Sequence, residues 1–135
     1  HKLPEETRTA VHVCCGYPAE LDQEDYPKAD PRAYETLAQP LDLAPVDAVS
    51  LEDAHRPADL SLLERFANTS VILGCVDVAR SHVESPDDIT GRLRQALDHI
   101  DPHRLLAAPD CGLALMPRKL ARDKLRALVA GARAV

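Results

Sequence analysis

Residues 70–77 read Ser-Val-Ile-Leu-Gly-Cys-Val-Asp, seven residues without a charge, apolar on both parities and closed by a carboxylate. A strand buried on one face alternates apolar with polar residues. A continuous run of this length fits a strand covered on both faces, as in a parallel sheet. Working outward, three further runs of the same kind appear at Thr9–Cys14, Val46–Leu51 and Arg104–Ala108. Each is followed by a segment of helical character, and no competing repeat suggests a solenoid.

The intervening segments support repeated βα units. Ser85 is an N-cap residue followed by Pro86 and the acidic pair Asp87 and Asp88, and Ile89, Leu93, Leu97 and Ile100 then recur three to four residues apart. Pro117–Val135 carries Leu120, Lys124, Leu125 and Leu128 among basic residues and reads as an amphipathic helix. A shorter helix is expected over Pro57–Ala67 through Leu60, Leu63 and Phe66. Gly16–Pro31, with its prolines and carboxylates, reads as a loop that leads into a helix near Ala33. The fold class is therefore α/β, with four parallel βα units over residues 1–135. They form half of a (β/α)8 barrel or, as the alternative, a small open sheet. A whole barrel takes about 250 residues, so the half barrel expects four more units elsewhere. The chain opens on His1 rather than Met, in keeping with a piece of a longer protein.

Composition narrows the function. With 135 residues and 45% hydrophobic content the chain can build a core. Acidic residues outnumber basic ones 22 to 16, for a net charge of -6, and no run of Lys and Arg could follow a phosphate backbone, so nucleic acid is not the expected partner. No apolar stretch approaches the roughly 20 residues of a membrane helix. No signal peptide is evident, and the expected setting is cytoplasmic. In such a setting the four cysteines read as metal or redox ligands rather than a disulfide framework.

In βα folds the chemistry gathers at the carboxyl ends of the strands. The first run ends His12-Val13-Cys14, and side chains two apart on a strand share a face, so one imidazole and one thiolate can reach a common point. The later runs end in Ser50-Leu51-Glu52-Asp53, Gly74-Cys75-Val76-Asp77 and Pro109-Asp110-Cys111-Gly112. His12, Cys14 and Cys111, with Glu52 as a possible carboxylate, are a donor set suited to Zn²⁺. Their spread over about 100 residues describes a catalytic site held by a scaffold, not a structural knuckle. Cys15 should point away and pack, and core packing is also favoured for Cys75. His55, His82, His99 and His103 lie in loops or near helix ends and are expected in solvent. Asp53, His55, Asp77 and Asp110 share the mouth, and the three aspartates are the candidate substrate-binding groups. No individual catalytic residue is assigned.

These motifs resemble the cobalamin-independent methionine synthase superfamily, in the carboxyl-terminal half of its catalytic barrel. The resemblance rests on His12-Val13-Cys14, on Val49-Ser50-Leu51-Glu52, and most specifically on Ala108-Pro109-Asp110-Cys111-Gly112-Leu113, and it runs over essentially the whole chain. It implies zinc held by His12, Cys14, Glu52 and Cys111. The family's third strand leads into Gly-Val-Tyr-Asp-Ile-His-Ser, whose histidine assists catalysis, whereas this chain reads Gly74-Cys75-Val76-Asp77-Val78-Ala79-Arg80, with Ala79 at the histidine position. That replacement and the long Gly16–Pro31 loop resemble the epoxyalkane:coenzyme M transferase branch.

Either branch implies activation of a small-molecule thiol. An alkyl thiol is mostly protonated near neutral pH, and its thiolate is the nucleophile. A zinc site with two cysteine thiolates and a carboxylate leaves a bound sulfur electron-rich, where an all-histidine site would favour water. Methionine biosynthesis is the first expectation, with methyl transfer from 5-methyltetrahydropteroyl-polyglutamate to homocysteine. The alternatives are opening of an epoxide by coenzyme M and a zinc-binding fragment without activity of its own.

Overall fold

The structure, a computed structural model, describes residue 4 and residues 6–30 and 32–135. His1 and Pro31, which bound two of the expectations above, lie outside the described residues. Strands β1 (Ala10–Val13), β2 (Ala48–Leu51), β3 (Ser70–Gly74) and β4 (Leu105–Ala108) pair in sequence order in one sheet, and all three pairings are parallel. Helices α1 (Ala33–Asp42), α2 (Pro86–Leu97) and α3 (Arg118–Arg133) follow β1, β3 and β4. The crossover after β2 is Leu60–Arg65, a 3₁₀ segment where an ordinary helix was expected. Asp59 accepts from the Ser61 amide at its start, and Leu60, Leu62 and Leu63 are all buried. Apolar side chains this closely spaced suit the tighter three-residue turn.

The core lies between the sheet and the helices. Val49, Leu51, Val71 and Leu73 point from the strands into Leu63, Phe66, Ile89, Leu93 and Ala96. The α2–α3 contact is close because residue 131 is Gly: a Cβ there would fall 2.8 Å from the Ile89 side chain and from the Pro86 carbonyl. Thr90 Oγ1 seals the contact by donating to Gly131 O at 2.9 Å.

The opposite face departs from the expectation that both faces are covered. Its central row, His12, Ser50, Ile72 and Leu106 in mutual register, is exposed or half-buried, with Leu106 at 48% exposure. All the helices lie on the other side, so no segment among the described residues covers this row. The apolar parity seen in the sequence is thus matched on one face only. No helix among the described residues is long and apolar enough to cross a membrane.

Candidate metal centre

The strand ends converge. One ligand atom from each of His12, Cys14, Glu52 and Cys111 lies within 4.8 Å of all the others. His12 and Cys14 come from one face of β1 and the residue beyond it. Ser50 stands opposite His12 in the β1–β2 register, and the side chains meet with His12 Nδ1 3.0 Å from Ser50 Oγ. That bond occupies Nδ1 and leaves Nε2 for coordination, 4.0 Å from Glu52 Oε1.

Glu52 is held through its backbone. The Tyr34 hydroxyl, from α1, accepts from the Glu52 amide and donates to the Val13 carbonyl, each at 3.1 Å, and so ties the ends of β1 and β2 together. Cys15 donates its thiol to the same hydroxyl at 3.1 Å and packs in the core, as expected of it. The Glu52 carboxylate is different: both oxygens are buried and neither has a hydrogen-bond partner. A buried carboxylate without donors is a costly arrangement unless a cation completes it. Two sulfurs, one imidazole nitrogen and one such carboxylate fit Zn²⁺. The accumulated charge shows in Cys14, whose thiol is pushed up to about 12, chiefly by burial and further by Glu52 and Cys111, against a lowering bond from the Gly16 amide.

Asp53, Asp77 and Asp110 are all at this end, and all are engaged internally. Asp110 is fully buried and accepts from the amides of Asp53, Ala54 and His55 at 3.0, 3.0 and 2.7 Å, which pins the turn after Glu52. Burial pushes its carboxyl up to about 7 against the pull of those amides. This packing requires glycine at 74, where a Cβ would fall 2.0 Å from Asp110 Oδ1. Asp53 accepts from Arg92 Nε and Nη2 at 2.5 and 2.6 Å and from the Ala58 amide at 2.8 Å. Asp77 accepts from the Ala79 amide at 2.7 Å and faces His55 Nδ1 at 2.9 Å. Cys75 is buried outside the ligand group, with its thiol donating to Leu73 O.

His55 corrects the expectation of a solvated ring: its side chain is 3% exposed, bonded to Asp77 on one side and to the Tyr26 hydroxyl on the other. His82 and His103 are exposed, and His99 pairs with Glu64 at the surface. Tyr17, Tyr26 and Tyr34 escaped the sequence reading. Nothing local marks them beyond their position in or just after a long loop, since their hydrogen-bond partners lie 18 or more residues away.

A family model described as the cobalamin-independent synthase catalytic domain matches residues 33–134. The chain belongs to this family. It is 37% identical to a methionine synthase of Thermococcus kodakarensis over 99 residues, 73% of this chain and 30% of that protein. It is 34% identical to a 2-hydroxypropyl-CoM lyase of Xanthobacter autotrophicus over 112 residues, 78% of this chain and 28% of that protein. The structure of a B12-independent methionine synthase from Shewanella sp. W3-18-1, solved in complex with selenomethionine, superposes with a TM-score of 0.78 at 29% identity, over 96% of this chain and 38% of that one. The chain thus spans about a third of the length of the relatives it matches, and its four parallel βα units are those of a (β/α)8 barrel.

The loop at 16–30 and the segment that contains Ala79, both singled out in the sequence, are in contact. The long loop lies on the segment that contains Ala79: the Asp22 amide donates to Ala79 O at 2.8 Å, Asp22 Oδ1 accepts from the Ser81 amide at 2.9 Å, and Glu24 pairs with Arg80. Ala79 is 1% exposed beneath it. The same loop brings Tyr17 and Tyr26 against His55, with ring centroids 6.3 and 6.0 Å away.

Proposed function

We propose that the chain is the carboxyl-terminal half of a zinc-dependent barrel enzyme that transfers an alkyl group to a thiol, and that His12, Cys14, Glu52 and Cys111 hold the metal. The observation that carries this reading is the four-donor cluster whose carboxylate is buried with no partner. Zinc bound there would supply a Lewis acid that keeps a coordinated thiol in its nucleophilic thiolate form. The protein does the rest. Ser50 orients His12, and the two cysteines with Glu52 gather negative charge that keeps a neighbouring sulfur electron-rich. Glu52, anchored by its amide and free at its carboxylate, is the donor best able to yield its place to substrate. Asp53, Asp77 and Asp110 serve the substrate indirectly, by fixing the loops that carry Glu52 and His55.

The reaction we infer is methyl transfer from 5-methyltetrahydropteroyl-polyglutamate to homocysteine. Resemblance to methionine synthases over most of the chain supports it. A second reading, opening of an epoxide by coenzyme M, is favoured by Ala79 with its covering loop and by the 2-hydroxypropyl-CoM lyase relative. The uncovered row His12, Ser50, Ile72 and Leu106 supports four further βα units as its cover, in the same polypeptide or a partner. The test is direct. Zinc per chain should be near one in the wild type and fall sharply in Cys111→Ser, and full retention in that variant would sink the site. The full-length polypeptide is then given homocysteine with the methyl-folate and, separately, coenzyme M with an epoxide. The arm that yields a thioether names the branch, and turnover in neither overturns the transfer reading.

A further inference from the structure

Beside the metal cluster lies a chain of side chains that the metal reading does not use. His55 Nδ1 faces Asp77 Oδ2 at 2.9 Å, and its Nε2 is bonded to the Tyr26 hydroxyl. An ionised carboxylate only accepts, so Nδ1 carries the hydrogen and Nε2 presents its lone pair to the Tyr26 O–H. The ring cannot drift, because Asp77 is fixed on three sides. Its other oxygen accepts from the Ala79 amide, its own amide donates to Glu84 Oε1 at 2.9 Å, and its carbonyl accepts from Lys124 Nζ at 3.0 Å. Lys124 is fully buried and binds both Glu84 oxygens at 3.0 and 3.1 Å.

Carboxylate, imidazole and hydroxyl in this order form an arrangement that moves a proton through the hydroxyl, with the carboxylate holding the tautomer. Its place in the fold gives that proton a destination. The Tyr17 ring lies 6.3 Å from His55, and its own hydroxyl, buried without a partner, feels the charge of Asp110, Glu52 and Cys111. His55 itself follows Glu52 by three residues, and its amide is bound by Asp110, the neighbour of Cys111. Tyr26 is half-buried, with Lys28 Nζ 4.5 Å over its ring. Burial pushes the Tyr26 hydroxyl up, so it serves as a neutral shuttle and not as a phenolate. The other charged groups acting on the chain are Arg80, Arg56 and Glu52 around Tyr26, Glu84 and Lys124 behind Asp77, and Asp110 on the His55 amide.

We propose that Asp77, His55 and Tyr26 form a proton relay for the transfer reaction, with Tyr26 as the group that meets substrate and His55 and Asp77 acting through it. This rests on the thiol-transfer reading above. In the reaction the thiol S–H bond breaks and a sulfur–carbon bond forms. The bond from that carbon to the donor's nitrogen or oxygen breaks, and its electron pair stays on that atom. The thiol proton passes through the Tyr26 hydroxyl to His55 and returns by the same path to the departing atom, so no further reactant is needed.

The first test needs no activity. Nitrogen-15 histidine NMR of the chain should show His55 as the Nδ1–H tautomer, with the Nε2 signal moved by Tyr26→Phe and a tautomer mixture in Asp77→Asn. A ring with the same tautomer and the same nitrogen signals in all three proteins overturns the relay. The second test uses the zinc-loaded full-length polypeptide with homocysteine or coenzyme M as the thiol. Tyr26→Phe and His55→Gln should keep zinc content and thiol binding, lose one limb of the pH–rate profile and lose about 10²–10⁴-fold in turnover. Turnover within about threefold of wild type, with the profile unchanged, overturns the relay even if the transfer reading stands. If the wild type binds no thiol, the transfer reading falls, and the NMR result still decides whether the relay is built.

Discussion

Asp42 and Glu52 are both buried acids, and the protein treats them in opposite ways. Asp42, at the end of α1 and the amino end of the sheet, accepts four hydrogen bonds, from the amides of Asn68 and Thr69, the Asn68 side chain and the Thr69 hydroxyl, all at 2.8–2.9 Å. Glu52, at the carboxyl end, accepts none. Burial alone would raise the Asp42 carboxyl, but its four donors outweigh this and hold it at about 2. One acid is used to close the chain on itself, joining α1 to the turn before β3. The other is left open, and an open buried carboxylate is costly until a cation or a proton meets it. The two ends of a βα sheet thus divide stability from chemistry, and here two side chains ten positions apart make the division visible.

Substitution should separate the two ends by sign. Asp42→Ala strands the buried amide and hydroxyl of Thr69 and should cost about 3 kcal/mol of unfolding free energy, read from the urea midpoint at constant slope. A variant as stable as wild type would break the comparison at that end. Glu52→Gln should do the reverse in zinc-free protein, raising stability by about 1 kcal/mol, because it removes an uncompensated buried charge. The same change should lower zinc affinity at least about tenfold in a chelator competition. A loss of stability in the zinc-free Glu52→Gln protein would show that this carboxylate has internal partners after all.

The contrast also marks where sequence reading works. The four strands were legible because continuous apolar runs depend on burial alone, and the cluster was legible because ligand types recur at the ends of those runs. The 3₁₀ segment at Leu60–Arg65 and the open inner face were not. Apolar spacing fixes a buried stripe but neither the tightness of the turn nor which elements supply the cover. Asp42 gave no signal, since its donors sit 26 and 27 residues on. His55 was misjudged for the same reason: its burial is made by Tyr26 from a loop and Asp77 from the end of β3, and neither periodicity nor spacing reports such docking. Lys124 offered a usable clue. A lysine on the apolar stripe of an amphipathic helix needs a buried acid, and Glu84 supplies it.

Acid and base should probe the two ends separately. Asp42 has a folded value of about 2 against 3.8 for the free group, so its contribution is present above about pH 4 and is lost as pH falls toward 2. The loss should be about 2 kcal/mol, and Asp42→Asn should remove this share of the acid limb. Cys14 runs the other way. Its thiol is raised from 9.0 to about 12 in the folded chain, so its contribution is present below pH 9 and lost as pH rises toward 12. Zinc should remove this share of the alkaline limb by holding the thiolate, and its apparent affinity should climb with pH because binding displaces the Cys14 proton. The decisive protein is Cys14→Ser: unfolding curves across pH should lose the Cys14 share of the alkaline limb, keep the share of Cys15, Cys75 and the buried tyrosines, and keep the acid limb at Asp42. If both limbs change together, the two ends of the sheet are coupled and the division between them fails.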